Sequence, residues 1–169
     1  MDLLEELGAF AFASRLKRLS DRLKAEATTI YHHQGVDFND SWFQVGFMLS
    51  RTDKMGITEI ARALGISRPA VSQMAGEMAK KHLITIQPDP KDGRRRLLSL
   101  TDYGREAVET LKPVWDAVGE STDGLIESTG LDVLKAITDI ERGLEHRSLF
   151  SRVIGKLDGP EEKEVSNGC

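Results

Sequence analysis

What the chain lacks narrows it first. It has one cysteine in 169 residues, and that one is Cys169. A disulfide framework, a thiolate metal cluster and a redox-sensing thiol near the first helix are excluded on that count. The four histidines are His32, His33, His82 and His146. The adjacent pair points in different directions on a helix, so no i, i+4 metal pair exists. No apolar run approaches the roughly 18 residues a membrane span needs, and no basic segment followed by an apolar one opens the chain. The phosphate-cradling G-x-x-x-x-G-K-[ST] pattern and the G-x-S-x-G nucleophile turn are also missing. The expectation is a soluble, cytoplasmic protein that is not an enzyme, with no catalytic residue, metal or cofactor.

What is present is ordinary in bulk and uneven in distribution. Hydrophobic residues make up 40% and charged residues 30%, enough apolar material for one domain with a core. The net charge of −4 is a misleading average. Arg51 to Arg105 holds eleven Lys or Arg against six Asp or Glu, a net +5, which leaves −9 for the rest. A basic lobe on an acidic remainder suits docking on phosphates through one face only.

That lobe contains the most informative stretch, Ile57 to Thr101. Thr58 is a good N-cap for a short helix with Ile60, Ala61 and Leu64 on its apolar side. Gly65 stands where a helix end favours positive φ, Ile66 can tuck inward, and Ser67 is placed to cap the next helix. Pro69 fits only in a first turn, where its missing N–H costs nothing. Stepping ~100° per residue along this second helix puts Val71, Met74, Ala75 and Met78 on one side. Pro69, Gln73, Gly76 and Lys80 point the opposite way, flanked by Ala70 and Ser72. Gln can bond bidentately to an adenine edge, Ser can reach bases or phosphate, and Gly lets a backbone approach closely.

A hairpin follows. Leu83 to Ile86 and Leu97 to Leu100 are strand formers on either side of a turn from Pro88 to Gly93. Arg94, Arg95 and Arg96 come directly after the turn. Guanidiniums at the tip of a twisted ribbon suit a narrow minor groove, where negative potential is focused. Asp92 lies two residues from Arg94 and is placed to hold it. The predicted fold is mainly α with a small β-hairpin wing: a winged helix-turn-helix with long N- and C-terminal helices.

From about Ile57 to Gly104 the chain resembles the DNA-binding lobe of the MarR family of bacterial transcription regulators. Leu64-Gly65-Ile66-Ser67, Val71-Ser72-Gln73, Leu83-Ile84, the D-P-K-D-G-R wing and Leu100-Thr101-Asp102-Tyr103-Gly104 carry the likeness. In that family the wing has an Asp-x-Arg whose Arg enters the minor groove, braced by the Asp; those roles fall on Arg94 and Asp92. Gly93 stands where the family often has Arg, so one phosphate contact is lost or taken over by Arg95. The implied DNA-binding set is Ser67, Arg68, Pro69, Ala70, Ser72, Gln73, Gly76, Lys80, Arg94, Arg95 and Arg96, with Asp92 as support.

The flanks are helical. Leu3 to Ile30 reads as one amphipathic helix, with Phe12, Leu16, Leu19, Leu23 and Ile30 at a 3–4 spacing, stopped by Gly35. Asn39 or Asp40 caps a second, very apolar helix from Ser41 to about Thr52. Beyond the wing, Thr101 caps a long helix that Pro113 should kink and that a loose stretch from Gly119 to Gly130 should break. Leu131 to Leu144 and Leu149 to Leu157 are helical again, with a break at Ser148. This gives one domain over about 1–157, with the winged lobe at about 41–101, dimerisation helices at about 3–31 and 102–157, and a disordered tail at 158–169.

The family resemblance implies a homodimer on a pseudo-palindromic double-stranded DNA operator, and a repressor released by a small aromatic or phenolic ligand. Tyr31, His32, Phe38, Trp42 and Phe43 are the candidate ligand residues. Two other readings remain. A winged-helix module for protein partners would present an apolar or acidic outer face and a neutral wing. The run from Leu16 to Leu23 with Trp42-Phe43 is also similar to the regulator half of MarR–acetyltransferase fusions, but no Gly-rich acetyl-CoA loop is present, so a stand-alone regulator is expected.

Overall fold

Left-handed residues punctuate the chain and set where several of its helices stop. The computed structural model describes residues 1–158, and these divide into two units, Met1–Gly119 and Glu120 onward. The predicted tail falls outside the described residues, apart from Asp158.

In the first unit the long opening helix is split. Gly8 takes φ +53°, and this separates α1 (Leu3–Glu6) from a 3₁₀ turn (Gly8–Ala11) that leads into α2 (Phe12–His33). Asp2 caps α1 by accepting the Leu4 N–H at 3.0 Å. Gly35, at φ +75°, stops α2 as predicted, and the Val36 N–H returns to the Tyr31 carbonyl at 3.1 Å. Asn39 then accepts the Ser41 N–H at 2.8 Å, capping a 3₁₀ turn (Asp40–Trp42) that leads into α3 (Phe43–Ser50).

The helix-turn-helix comprises α4 (Ile57–Leu64) and α5 (Arg68–Lys80). Its first cap differs from the prediction. Gly56, not Thr58, is the N-cap, because the Glu59 carboxylate reaches back to the Gly56 N–H at 2.9 Å and starts the helix earlier. At the turn Gly65 has φ +66° and the Ile66 N–H bonds the Ala61 carbonyl. Ile66 does not tuck inward; it is 40% exposed. Ser67 caps α5 through the Ala70 N–H at 3.3 Å, with Pro69 in the first turn as expected. His82 ends α5 in the left-handed region at φ +58°, letting the Leu83 N–H reach the Met78 carbonyl. This position normally favours Gly or Asn, so a histidine there carries no local signal of it.

The wing is β2 (Ile84–Pro88) against β3 (Arg96–Leu100), in register from Ile84 opposite Leu100 to Pro88 opposite Arg96. A third strand, β1 (Met55–Gly56), completes an antiparallel sheet ordered β1-β3-β2. Two residues are too few to show a period, so the sequence did not reveal it. Ile60, Val71, Met78, Leu83 and Leu98 from α4, α5 and the hairpin share one core with Val45 of α3 and Leu111 of α6 (Asp102–Glu127). Full burial of each large side chain contributes roughly 1.5–3 kcal/mol. Thr101 joins wing to helix: its hydroxyl donates to the His82 carbonyl at 2.6 Å and accepts the Gly104 N–H at 2.8 Å. The helix start lies so close to the strand that a Cβ on Gly104 would meet the Leu83 carbonyl oxygen at 1.9 Å.

Helix α6 is one element through Pro113 and Gly119. The break expected between Gly119 and Gly130 is confined to its far end, where Gly130 takes φ +68°. Two further helices lie in the second unit. α7 (Val133–His146) is capped by Asp132, and α8 (Leu149–Leu157) by Ser148, which marks the predicted break. No residue of either helix is buried.

Candidate nucleic-acid interface

The start of α5 and the turn end of the wing meet in one shallow concavity. Arg68, Pro69 and Ser72 line it from the helix, Arg94, Arg95 and Arg96 from the hairpin, and Gly56, Ile57 and Thr58 from the start of α4. The helix face behaves as its periodicity required: Val71, Ala75 and Met78 are buried, while Ser67, Ser72, Gln73 and Lys80 are exposed and Ala70 and Gly76 half-buried. No side chain or backbone atom lies within 4 Å of where a Cβ on Gly76 would sit, so the helix backbone is open there.

The three wing arginines are not equivalent. Asp92 does stabilise the region around Arg94, but through the backbone: its carboxylate accepts the Arg94 N–H at 3.1 Å. Among the described residues no carboxylate pairs with the Arg94 or Arg96 guanidinium. Arg95 is engaged instead. Its guanidinium donates to Glu59 at 2.5 Å and lies 3.5 Å from Asp89. Asp89 is the one buried charged residue in the described chain, 9% exposed, and its carboxylate also accepts the Lys91 N–H at 2.8 Å. The backbone closes the same loop, Asp89 N–H to Arg95 carbonyl and Arg95 N–H to Asp92 carbonyl. Glu59 therefore ties the N-terminus of α4 to the wing. The Gly56 N–H, and secondarily the Arg95 charge, hold its carboxyl below the usual range against the opposing effect of burial.

On α5 the Gln73 amide donates to Glu77 at 3.3 Å, and the other Glu77 oxygen accepts from the Trp42 indole at 3.4 Å. Trp42 belongs to an aromatic cluster. Phe38 stands edge-on to Tyr31 and Trp42 at 5.8 and 5.7 Å, and Phe43 packs on Trp115 at 4.9 Å. Four of the five predicted ligand residues thus come together, Phe43 through Trp115. His32 does not; it is exposed and faces Asp37 at 3.7 Å, where Lys81 also binds. Tyr31 donates to Asp40 at 2.8 Å, and burial first, then Asp40, pushes its phenol above the ordinary range. The buried Trp115 Nε1 makes no hydrogen bond of good geometry, but it lies near enough to the Tyr31 oxygen to oppose that upward shift slightly.

Comparison with known proteins gives this geometry its relatives. The model described as MarR family matches residues 36–95, which span the turn, the helix and the wing up to Arg95. This winged helix-turn-helix lobe is similar to the MarR family.

Among relatives, the transcriptional activatory protein BadR of Rhodopseudomonas palustris is 27% identical over 99 residues, 57% of this chain and 56% of BadR. The match thus spans little more than half of that relative. The helix-turn-helix regulator YwaE of Bacillus subtilis is 29% identical over 138 residues, 80% of this chain and 77% of YwaE. Of solved structures, the transcriptional repressor CouR on a 23-mer DNA duplex is 26% identical with a TM-score of 0.60, covering 82% of this chain and 96% of CouR.

In and beside this MarR-like lobe, sequence reasoning passed over Glu59, Glu77, Asp89 and Trp115. Two of these had a signal. Glu77 lies four residues after Gln73, the spacing at which Gln and a carboxylate meet on a helix. Glu59 lies at the third helical position, where a carboxylate reaches back to the N-cap. Asp89 and Trp115 had none.

Proposed function

We propose that this protein is a MarR-family, sequence-specific double-stranded DNA-binding transcriptional regulator that acts as a homodimer, with no enzymatic activity. The observation that carries this reading is the concavity joining Arg68, Pro69 and Ser72 to three wing arginines, two of them free of any carboxylate among the described residues. A helix of this outline fits a major groove, and unpaired guanidiniums one strand away fit the adjoining minor groove. A winged-helix module for protein partners has no use for such a charge. The test is the salt dependence of duplex binding: the logarithm of affinity should fall linearly with that of salt, by about 0.9 per phosphate engaged. Affinity indifferent to salt would favour the protein-partner reading.

The homodimer is supported by apolar surface left uncovered. In the first unit Phe10 is 90% exposed, and Phe12, Leu16 and Leu19 on α2 are exposed too; in the second, Phe150 is 74% exposed, as are Leu134, Ile137 and Val153 in part. Such patches in a water-exposed protein mark interaction surfaces. Two-fold pairing sets two recognition helices roughly 34–36 Å apart, facing a pseudo-palindrome. Sedimentation at micromolar concentration checks it. No described helix is long and apolar enough to cross a membrane, and a cytoplasmic location belongs to the same proposal.

Repression relieved by a small aromatic or phenolic ligand completes the reading. Tyr31, Phe38, Trp42 and Phe43 gather about Trp115, whose buried indole N–H makes no hydrogen bond of good geometry and is a donor that a phenolic or carboxylate oxygen would satisfy better than Tyr31 does. Phenolic acids titrated against tryptophan fluorescence and operator binding should change both; silence from both would remove the ligand from the proposal.

A further inference from the structure

The outward face of α5 carries a carboxylate, Glu77, and a negative charge there weakens attraction to every duplex alike. Its bonds give it a role. The geometry points to Glu77 as a specificity-determining positioning residue that fixes the Gln73 amide and ties it to the aromatic core. This rests on the DNA-binding reading above.

A glutamine amide has an oxygen with two acceptor sites and an NH₂ with two donors, and an unrestrained one can flip and offer either end to the same point. An ionised carboxylate only accepts, so Glu77 selects the NH₂ end of Gln73, at 3.3 Å. One N–H and the whole amide oxygen remain. That pair is what an adenine edge takes, its N7 accepting and its N6 amino group donating. Glu77 is itself held, because its second oxygen accepts from Trp42 Nε1 at 3.4 Å. Trp42 is 7% exposed and edge-on to Phe38 at 5.7 Å. A buried indole N–H needs an acceptor, and the one it has is this exposed carboxylate. The chain Phe38, Trp42, Glu77, Gln73 therefore runs from the hydrophobic interior to the tip of a base-reading side chain. Movement of Trp42 alters the orientation of the Gln73 amide without moving the helix.

The test uses the full chain and a randomised duplex library, comparing wild type with Gln73→Ala, Glu77→Ala, Glu77→Gln and Trp42→Phe. Wild type should favour one base at the Gln73 position by about tenfold, the factor that ~1.4 kcal/mol of discrimination gives. Gln73→Ala and Glu77→Ala should both lose that preference at the same position. Overall affinity should rise in Glu77→Ala and Glu77→Gln alike, since both remove the charge. Glu77→Gln keeps an acceptor and should retain most of the preference, which separates orientation from charge. Trp42→Phe should weaken the preference with no change of charge, and it stands in should Glu77→Ala fold poorly. In the DNA-free protein the Gln73 side-chain amide and Trp42 indole NMR signals should both move in Glu77→Ala. An undiminished preference in Glu77→Ala and in Trp42→Phe overturns the proposal, as do unmoved signals. Wild-type protein that binds no duplex even in dilute buffer, with both signals still responding to Glu77→Ala, overturns the DNA-binding reading and the specificity role together.

Discussion

Replacing Arg94 and Arg95 singly by alanine separates two roles that neighbouring arginines of the same wing would otherwise be assumed to share. Arg94 has no carboxylate partner among the described residues, and Arg95 has Glu59 at 2.5 Å and Asp89 at 3.5 Å. Arg94→Ala therefore removes nothing the fold uses, and urea stability should stay within about 0.5 kcal/mol of wild type. On the proposed reading it removes one DNA contact per subunit, each worth about 1.5–3 kcal/mol as a charged hydrogen bond. A dimer then loses about 3–6 kcal/mol, and its salt slope shrinks by about 0.9 for each subunit. Arg95→Ala should do the reverse. The Glu59 pair is half-exposed on both sides, 45% and 49%, so it contributes only about 0.2–1 kcal/mol. Asp89, whose side chain is 11% exposed, keeps the Lys91 N–H but loses its guanidinium, which adds about 1 kcal/mol. Stability should fall by about 1–2 kcal/mol, with a smaller change in salt slope than Arg94→Ala produces. Urea melts and fluorescence-anisotropy titrations at several salt concentrations measure both quantities. If Arg95→Ala leaves stability untouched and flattens the salt slope as much as Arg94→Ala does, the reasoning is refuted: Arg95 would be releasing Glu59 to bind phosphate.

Other outcomes follow from single positions. Gly104→Ala should cost about 3 kcal/mol or more, because its Cβ would overlap a backbone oxygen at 1.9 Å; a melt within 1 kcal/mol of wild type would contradict that. Gly76→Ala, with open space around it, should stabilise α5 by roughly 0.5–1 kcal/mol while lowering duplex affinity, and a variant that binds DNA as tightly as wild type would show that no duplex approaches the backbone there. Glu59, whose carboxyl is held below its ordinary 4.5, should add stability that is full above that value and lost as pH falls through the lower folded value. Glu59→Gln should accordingly flatten the acid side of the stability–pH curve, and an unchanged curve would mean Glu59 is not the group responsible. Ile137→Lys, on an exposed apolar face of α7, should shift sedimentation toward monomer; an unaltered dimer would place the interface elsewhere.

The helix-turn-helix was legible because its signals are local. Gly65, Ser67 and Pro69 act on bonds within four residues of themselves, so capping chemistry alone located the turn. The wing strands were legible for the same reason, with strand-forming residues either side of a Pro-Asp-Gly turn. Errors arose where two local patterns competed and the wrong one was favoured. Thr58 is a sound cap, yet Glu59 reached Gly56 first. The 3–4 spacing through the first helix hid Gly8, whose positive φ splits it. Gly119 suggested a break, but a helix tolerates a glycine at a cost of about 1 kcal/mol, and α6 continues.

By itself the sequence determined the elements, the basic lobe and which side of α5 faces out, since periodicity, caps and charge counts need no knowledge of the far end of the chain. Only tertiary structure decided which wing arginines are free of a carboxylate and how Glu77, the partner of Gln73, is held. Glu59 and Arg95 are 36 residues apart, Trp42 and Glu77 are 35. Such pairs depend on how α4, the wing, the turn before α3 and α5 pack, and no pattern written along the chain encodes that distance.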